Sequence, residues 1–145
     1  MSPEVLASKL LLYQEVLLDL KPHVRASRAR QEDAHYEIER QVQLSVDLAC
    51  AMGRRVLVMM GFPVPEKARD VFVELGKKKL LPAPLSARLA SAVGLRNLIV
   101  HEYGKLDYSL FFDGLPDGYQ AFTKFARLSE KMLHRRGRAK SKKRR

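Results

Sequence analysis

Residues 38–63 read IERQVQLSVDLACAMGRRVLVMMGFP, and within them Ile38, Val42, Ser45, Ala49, Met52, Val56 and Met59 recur at alternating steps of four and three. At about 100° per residue, that spacing lays one apolar or small stripe along a single face of an α-helix. The stretch predicts a long helix that stops at Gly61-Phe62-Pro63, where glycine and proline end the pattern. Upstream, Leu6, Leu10, Tyr13, Leu17, Leu20 and Val24 keep the same step. Ser2-Pro3-Glu4 supplies their start, with a cap, a proline in the first turn and an acid at the positive end of the helix dipole. Two long helices with such stripes are expected to pack antiparallel.

Pro65-Glu66 opens a shorter segment in which Val71, Phe72 and Leu75 precede a Gly76 stop, and Lys77-Lys78-Lys79 then leads to a loop with Pro82 and Pro84. From Leu85 to Glu102 the chain reads as helix again. A turn is expected at Asp113-Gly114-Leu115-Pro116-Asp117-Gly118, and after it a last helix carries Tyr119, Phe122, Ala126, Ser129 and Leu133. No run alternates with period two between strand punctuation. The fold class that follows is all-α, an antiparallel bundle of about five helices over residues 1–133, with a disordered basic tail over 134–145.

Composition narrows the class further. A chain of 145 residues with 46% hydrophobic residues has the size and apolar content of one folded domain. Cys50 is the single cysteine, so no internal disulfide forms and a reducing cytoplasm is the expected setting. Glu4, Lys9, Glu15 and Asp19 interrupt the leucines of the first helix, which excludes a membrane span or signal peptide there. The net charge of +11 suggests an anionic partner, but its distribution matters more than its sum. Eight of the 27 basic residues follow His134, which leaves nineteen against 16 acidic residues in the rest of the chain. The tail, with Arg135 and Arg136 at its start, either solubilises the protein or adds salt-sensitive contacts to RNA phosphates.

The chemistry gathers on the helix from Leu85. Ala87, Ala90, Gly94, Asn97 and His101 form a seam in which small residues run into two polar ones, as expected for a close helix contact that ends in a site. Arg96 and His101 lie five residues apart, roughly 140° around a regular helix, so either the helix unwinds near its end or the cleft is shared between two subunits, and the small-residue seam favours the second. Histidine exchanges protons near neutral pH, arginine holds a phosphate through paired hydrogen bonds, and asparagine orients either. Such a set suits RNA cleavage by attack of a ribose 2′-hydroxyl on the adjacent phosphate, giving a 2′,3′-cyclic phosphate and a 5′-hydroxyl without a metal. Against this stands the structural reading, a helix-end histidine and an arginine placed by the dipole. His23, His35 and His134 have no spacing to one another or to Cys50 that makes a metal site, so neither metal nor cofactor is expected. Cys50, Met52, Met59 and Met60 read as core filling. Lys77, Lys78 and Lys79 are candidates for RNA contact, weighed against a solvated loop.

The segment Leu95-Arg96-Asn97-Leu98-Ile99-Val100-His101-Glu102-Tyr103 resembles the signature of HepT toxins in the HEPN superfamily: Arg, four residues, His, any residue, Tyr, with Asn directly after the Arg. The likeness extends through Tyr36-Glu37-Ile38-Glu39-Arg40, the Gly-Phe-Pro break and the loop before Leu85, and covers roughly residues 5–133. The tail and the turn within 110–118 are not hallmarks of that family. What the resemblance implies is a HEPN-like fold and a homodimeric, metal-independent ribonuclease in a toxin–antitoxin pair. Its partner would be an MntA-like nucleotidyltransferase antitoxin that moves AMP from ATP to the motif tyrosine. Arg96 and His101 take the catalytic positions, Asn97 a supporting one, and Tyr103 a supporting one and that of the AMP acceptor. Arg40 takes a phosphate-binding role, set against an ion pair with a neighbouring helix. The RNA substrate, tRNA or mRNA, is left open, since no base-reading module is visible. Two other classes compete: a catalytically inactive helical adaptor that binds a nucleotidyltransferase or RNA, and a nucleotide-binding subunit that completes a partner's transferase site.

Overall fold

The computed structural model describes residues 3–102 and 104–143, with side chains to Arg135. Six helices account for nearly all of them: α1 Pro3–Val24, α2 Arg28–Asp33, α3 His35–Met59, α4 Ala68–Lys77, α5 Ala83–His101 and α6 Tyr108–Lys143. No strand occurs among the described residues. The bundle is all-α. The stripe of α1 is buried at all six positions, and that of α3 at all but the half-buried Met59. Leu20 and Val24 at the end of α1 cluster with Ile38 and Val42 at the start of α3, so the two helices form an antiparallel hairpin. Tyr13 crosses the core and donates from its hydroxyl to the Phe122 carbonyl at 2.8 Å, tying α1 to α6.

Three features differ from the sequence expectation. The short α2 adds a sixth helix, capped by Ser27 and held by Gln31, whose side-chain amide donates to the His23 carbonyl at 2.9 Å. At six residues it is too short to show a helical period. Gly76 is not a stop but lies inside α4, and the reversal falls at Lys79, with a φ of 58°. A Cβ at Gly76 would sit 2.4 Å from the Ser86 hydroxyl, so this glycine lets α4 and α5 approach closely.

The third correction is the turn at 113–118, which does not exist: α6 starts at Tyr108 and runs straight through Pro116. Asp107 starts it, its carboxylate accepting from the Leu110 amide at 3.1 Å. An interior proline costs roughly 3 kcal/mol of helix stability. Phe111, Phe112, Leu115 and Phe122 are all buried on this helix, and each contributes roughly 1.5–3 kcal/mol. Burial outweighs the proline. The backbone of the basic tail continues α6 to Lys143, and its side chains beyond Arg135, including Arg136, lie outside the described residues.

The core is in two parts. The larger fills the centre between α1, α3, α4, α5 and α6. A smaller cluster of Leu20, Val24, Ile38, Val42, Phe111, Phe112 and Leu115 lies at one end, with Leu95, Ile99 and Leu106 packed on it. The last turns of α5 therefore rest on the smaller cluster.

Candidate functional site

The end of α5 carries the polar group that the sequence singled out. Arg96 is half-buried, while Asn97 and His101 are exposed. The guanidinium joins them: Nη1 lies 3.5 Å from the Asn97 Oδ1, to which it donates, and 3.5 Å from the His101 Nε2. Arginine nitrogens can only donate, so in this arrangement the imidazole Nε2 is the acceptor. These contacts are at the long limit for hydrogen bonds and define a cluster rather than a clamp. The roughly 140° offset between the two positions on a regular helix is thus bridged within one chain by the length of the arginine side chain.

What aims it is Asp47 of α3. Its Oδ1 accepts from the Arg96 Nε at 2.8 Å, and the two side chains are 40% and 25% exposed. In a half-solvated setting such a pair adds only about 0.2–1 kcal/mol to stability. Its larger effect is geometric, because a bond to Nε fixes the plane of the guanidinium without engaging the terminal nitrogens, of which Nη1 faces Asn97 and His101. Sequence reasoning missed Asp47. The available signal was that it is the sole acid between Glu39 and Glu66, in the middle of a helix with an apolar face.

Beside the cluster, Arg40 lines a cleft of about 570 Å³ between the start of α3, the last turn of α5 and Tyr108. Among the described residues Arg40 makes no ion pair, so the alternative drawn for it finds no partner there. Across the same cleft, Glu39 joins two groups the sequence did not connect: its carboxylate lies 2.8 Å from the His35 Nδ1 and accepts from the Tyr108 hydroxyl at 3.2 Å. Burial and the Glu39 charge push the Tyr108 phenol above its ordinary value. His35 is therefore a packed, hydrogen-bonded residue.

The remaining candidates fall elsewhere. Lys77, Lys78 and Lys79 precede the start of α5, roughly 27 Å along that helix from His101. Lys77 pairs with Glu74 at 3.7 Å and the Lys78 ammonium sits 5.0 Å from the Phe62 ring centre. Arg135 lies far along α6, well past its start at Tyr108 beside the end of α5. Tyr103 lies outside the described residues. Cys50 is buried, and that burial pushes its thiol up to about 11, with Arg54 opposing. Along the seam Ala90 is buried, but Ala87, Gly94, Asn97 and His101 are exposed, and a Cβ on Gly94 would meet nothing within 4 Å. No helix among the described residues is long and apolar enough to cross a membrane.

A family model described as ribonuclease HepT-like matches residues 13–128. The mRNA nuclease HepT of Shewanella oneidensis is 27% identical over 95 residues, 66% of this chain and 68% of that protein. The tRNA nuclease HepT of Aphanizomenon flos-aquae is 29% identical over 89 residues, 61% of this chain and 60% of that protein. Among solved structures, the tri-AMPylated HEPN toxin of Shewanella oneidensis, in complex with MNT antitoxin, superposes with a TM-score of 0.81 at 19% identity, over 90% of this chain and 99% of that one. YutE of Bacillus subtilis, described as a cytosolic protein of unknown function, does so with a TM-score of 0.78 at 14% identity, over 94% and 93%. At these identities the structures speak to the fold, an all-α bundle of the HEPN type.

Proposed function

Since the chain belongs to the ribonuclease HepT-like family, we propose that its ribonuclease activity is the toxin half of a toxin–antitoxin pair and that Arg96 and His101 carry the chemistry. The observation that supports this reading is the 3.5 Å approach of the Arg96 guanidinium to the His101 Nε2, with the other edge of the arginine held by Asp47. RNA bound there would place a phosphate against the arginine. His101 takes the proton from the 2′-hydroxyl as its oxygen attacks phosphorus, and Arg96 stabilises the charge that builds on the non-bridging oxygens. The bond to the 5′-oxygen breaks, that oxygen takes a proton from solvent water, to which His101 returns its own, and a 2′,3′-cyclic phosphate remains. Asn97 orients the pair, and Arg40 binds a neighbouring phosphate from the adjoining cleft.

Expression of the chain alone in bacteria should arrest growth, and His101→Ala or Arg96→Ala should relieve the arrest with helical circular dichroism intact. Loss of a positioned acid–base group lowers the rate by about two to four orders of magnitude. Cleavage should survive EDTA. Normal cleavage by His101→Ala, or its abolition by chelation, would sink the metal-independent mechanism.

Control is the second half of the proposal. A nucleotidyltransferase partner of the MntA type transfers AMP from ATP to the Tyr103 phenol, with release of pyrophosphate. The added phosphodiester carries roughly one negative charge, seven positions along the sequence from Arg96, and a charge of that sign would compete with RNA phosphate for the arginine. Mass spectrometry after incubation with the partner, ATP and magnesium should find AMP on the peptide containing Tyr103 and none on Tyr103→Phe. Adducts on Tyr108 or Tyr119 alone, with activity suppressed, would assign the acceptor elsewhere.

A further inference from the structure

The end of α5 opposite the Arg96 cluster carries a second cationic feature. A groove of about 350 Å³ between the first turns of α5 and the middle of α6 is lined by Arg88, Lys124, Arg127 and Lys131, together with apolar residues that include Pro84 and Leu128. All four cations are exposed, and none makes an ion pair among the described residues. Lys124, Arg127, Lys131 and Arg135 follow one another at steps of three and four, within about 80° of arc on a regular helix. From Lys124 to Arg135 that stripe extends roughly 17 Å along α6.

Little opposes this charge. Helix α5 contains no acid, and from Gly118 to Lys143 the only one is Glu130, roughly 100° around α6 from the middle of the stripe. Like charges at such spacing repel and destabilise a helix by a few tenths of a kcal/mol per pair. A fold gains nothing from aligning them. A linear row of cations beside a partly apolar groove suits one class of ligand, a single-stranded polyanion with phosphates along the row and ribose or base faces on the apolar wall.

We propose that this groove is a second RNA-binding site, a track that holds the phosphodiester backbone of single-stranded RNA away from the point of cleavage. The choice of RNA rests on the ribonuclease reading above. Arg88 precedes Arg96 by about 12 Å and His101 by about 20 Å along α5. An RNA long enough to engage both ends gains affinity from the track, and a short one does not.

The test uses the full chain carrying His101→Ala, so that bound RNA persists, and follows the anisotropy of labelled oligouridine across a series of salt concentrations. The parent is compared with Arg88→Gln/Lys124→Gln/Arg127→Gln/Lys131→Gln. An equal change of charge elsewhere, Lys9→Gln/Lys21→Gln/Arg25→Gln/Arg30→Gln, is the control. Losing four phosphate contacts should lower the log–log salt slope by roughly 2 to 3 and weaken binding at low salt on the order of tenfold or more. The control set should leave the slope near the parent value. Equal effects of the two sets would reduce the finding to net charge and overturn the track. So would unchanged RNA binding by the groove variant together with lost capture of a nucleotidyltransferase, which would make the surface a protein-docking face. A wild-type chain that binds RNA with a groove-dependent slope but never cleaves it would keep the track and sink the ribonuclease site.

Discussion

In the mechanism proposed above, Asp47 separates two roles that Arg96 combines. Arg96 would be held in one orientation and still offer hydrogen-bond donors to a phosphate, because the contact is made at Nε. Asp47 is in that mechanism a positioning residue. Asp47→Ala should lower kcat about tenfold to a hundredfold, as a misplacement of about 1 Å does, while urea stability stays within about 1 kcal/mol because the pair is half-solvated. Asp47→Asn keeps an acceptor and should recover part of the rate. Full activity in Asp47→Ala would show that Arg96 needs no such support. The difference in legibility follows from chain distance: Arg96, Asn97 and His101 share two helical turns and could be read together, whereas Asp47 lies 49 residues before Arg96. No local pattern links positions so far apart.

Glycine carries two meanings in a helical chain, and at the level of elements the sequence does not say which applies. At Gly76 a hydrogen is required because Ser86 crosses above it, with its hydroxyl donating to the Phe72 carbonyl at 2.6 Å. At Gly114 nothing lies within 4 Å of a Cβ, although the residue is fully helical. Gly76→Ala should therefore destabilise the fold by about 1–3 kcal/mol through overpacking. Gly114→Ala should stabilise it by about 0.5–1 kcal/mol through helix propensity. Urea midpoints measure both, and a shared sign would refute the distinction. Both glycines had read as punctuation, Gly76 as a stop and Gly114 as part of a turn. The apolar stripes on α1 and α3 were legible because twelve of their thirteen positions are buried, leaving only Met59 half-exposed, so the period survives intact. In α6 the period runs through a proline and two glycines, and only the packing of its phenylalanines shows that it continues.

At the scale of the whole molecule, the seam on α5 remains a surface. Ala87, Gly94 and Asn97 are exposed, and a Cβ on Gly94 would meet nothing within 4 Å; a second copy across a two-fold axis there would bring two clusters of Arg96 and His101 close together. We therefore expect a homodimer in sedimentation at micromolar concentration. Gly94→Leu should give monomers with unchanged circular dichroism, and a dimer that tolerates leucine there would place the interface elsewhere. The two-part core has a separate consequence. The end of α5 rests on the smaller cluster, and the free energy of opening a region scales with the apolar contacts it must break. Amide hydrogens near Leu95 to His101 should exchange with solvent sooner than those facing Phe72 and Phe125, through excursions that leave the large cluster folded. The lifetime of the assembled site is then set by one small corner of the protein, and whatever clamps or loosens that corner governs how long the enzyme stays competent between turnovers.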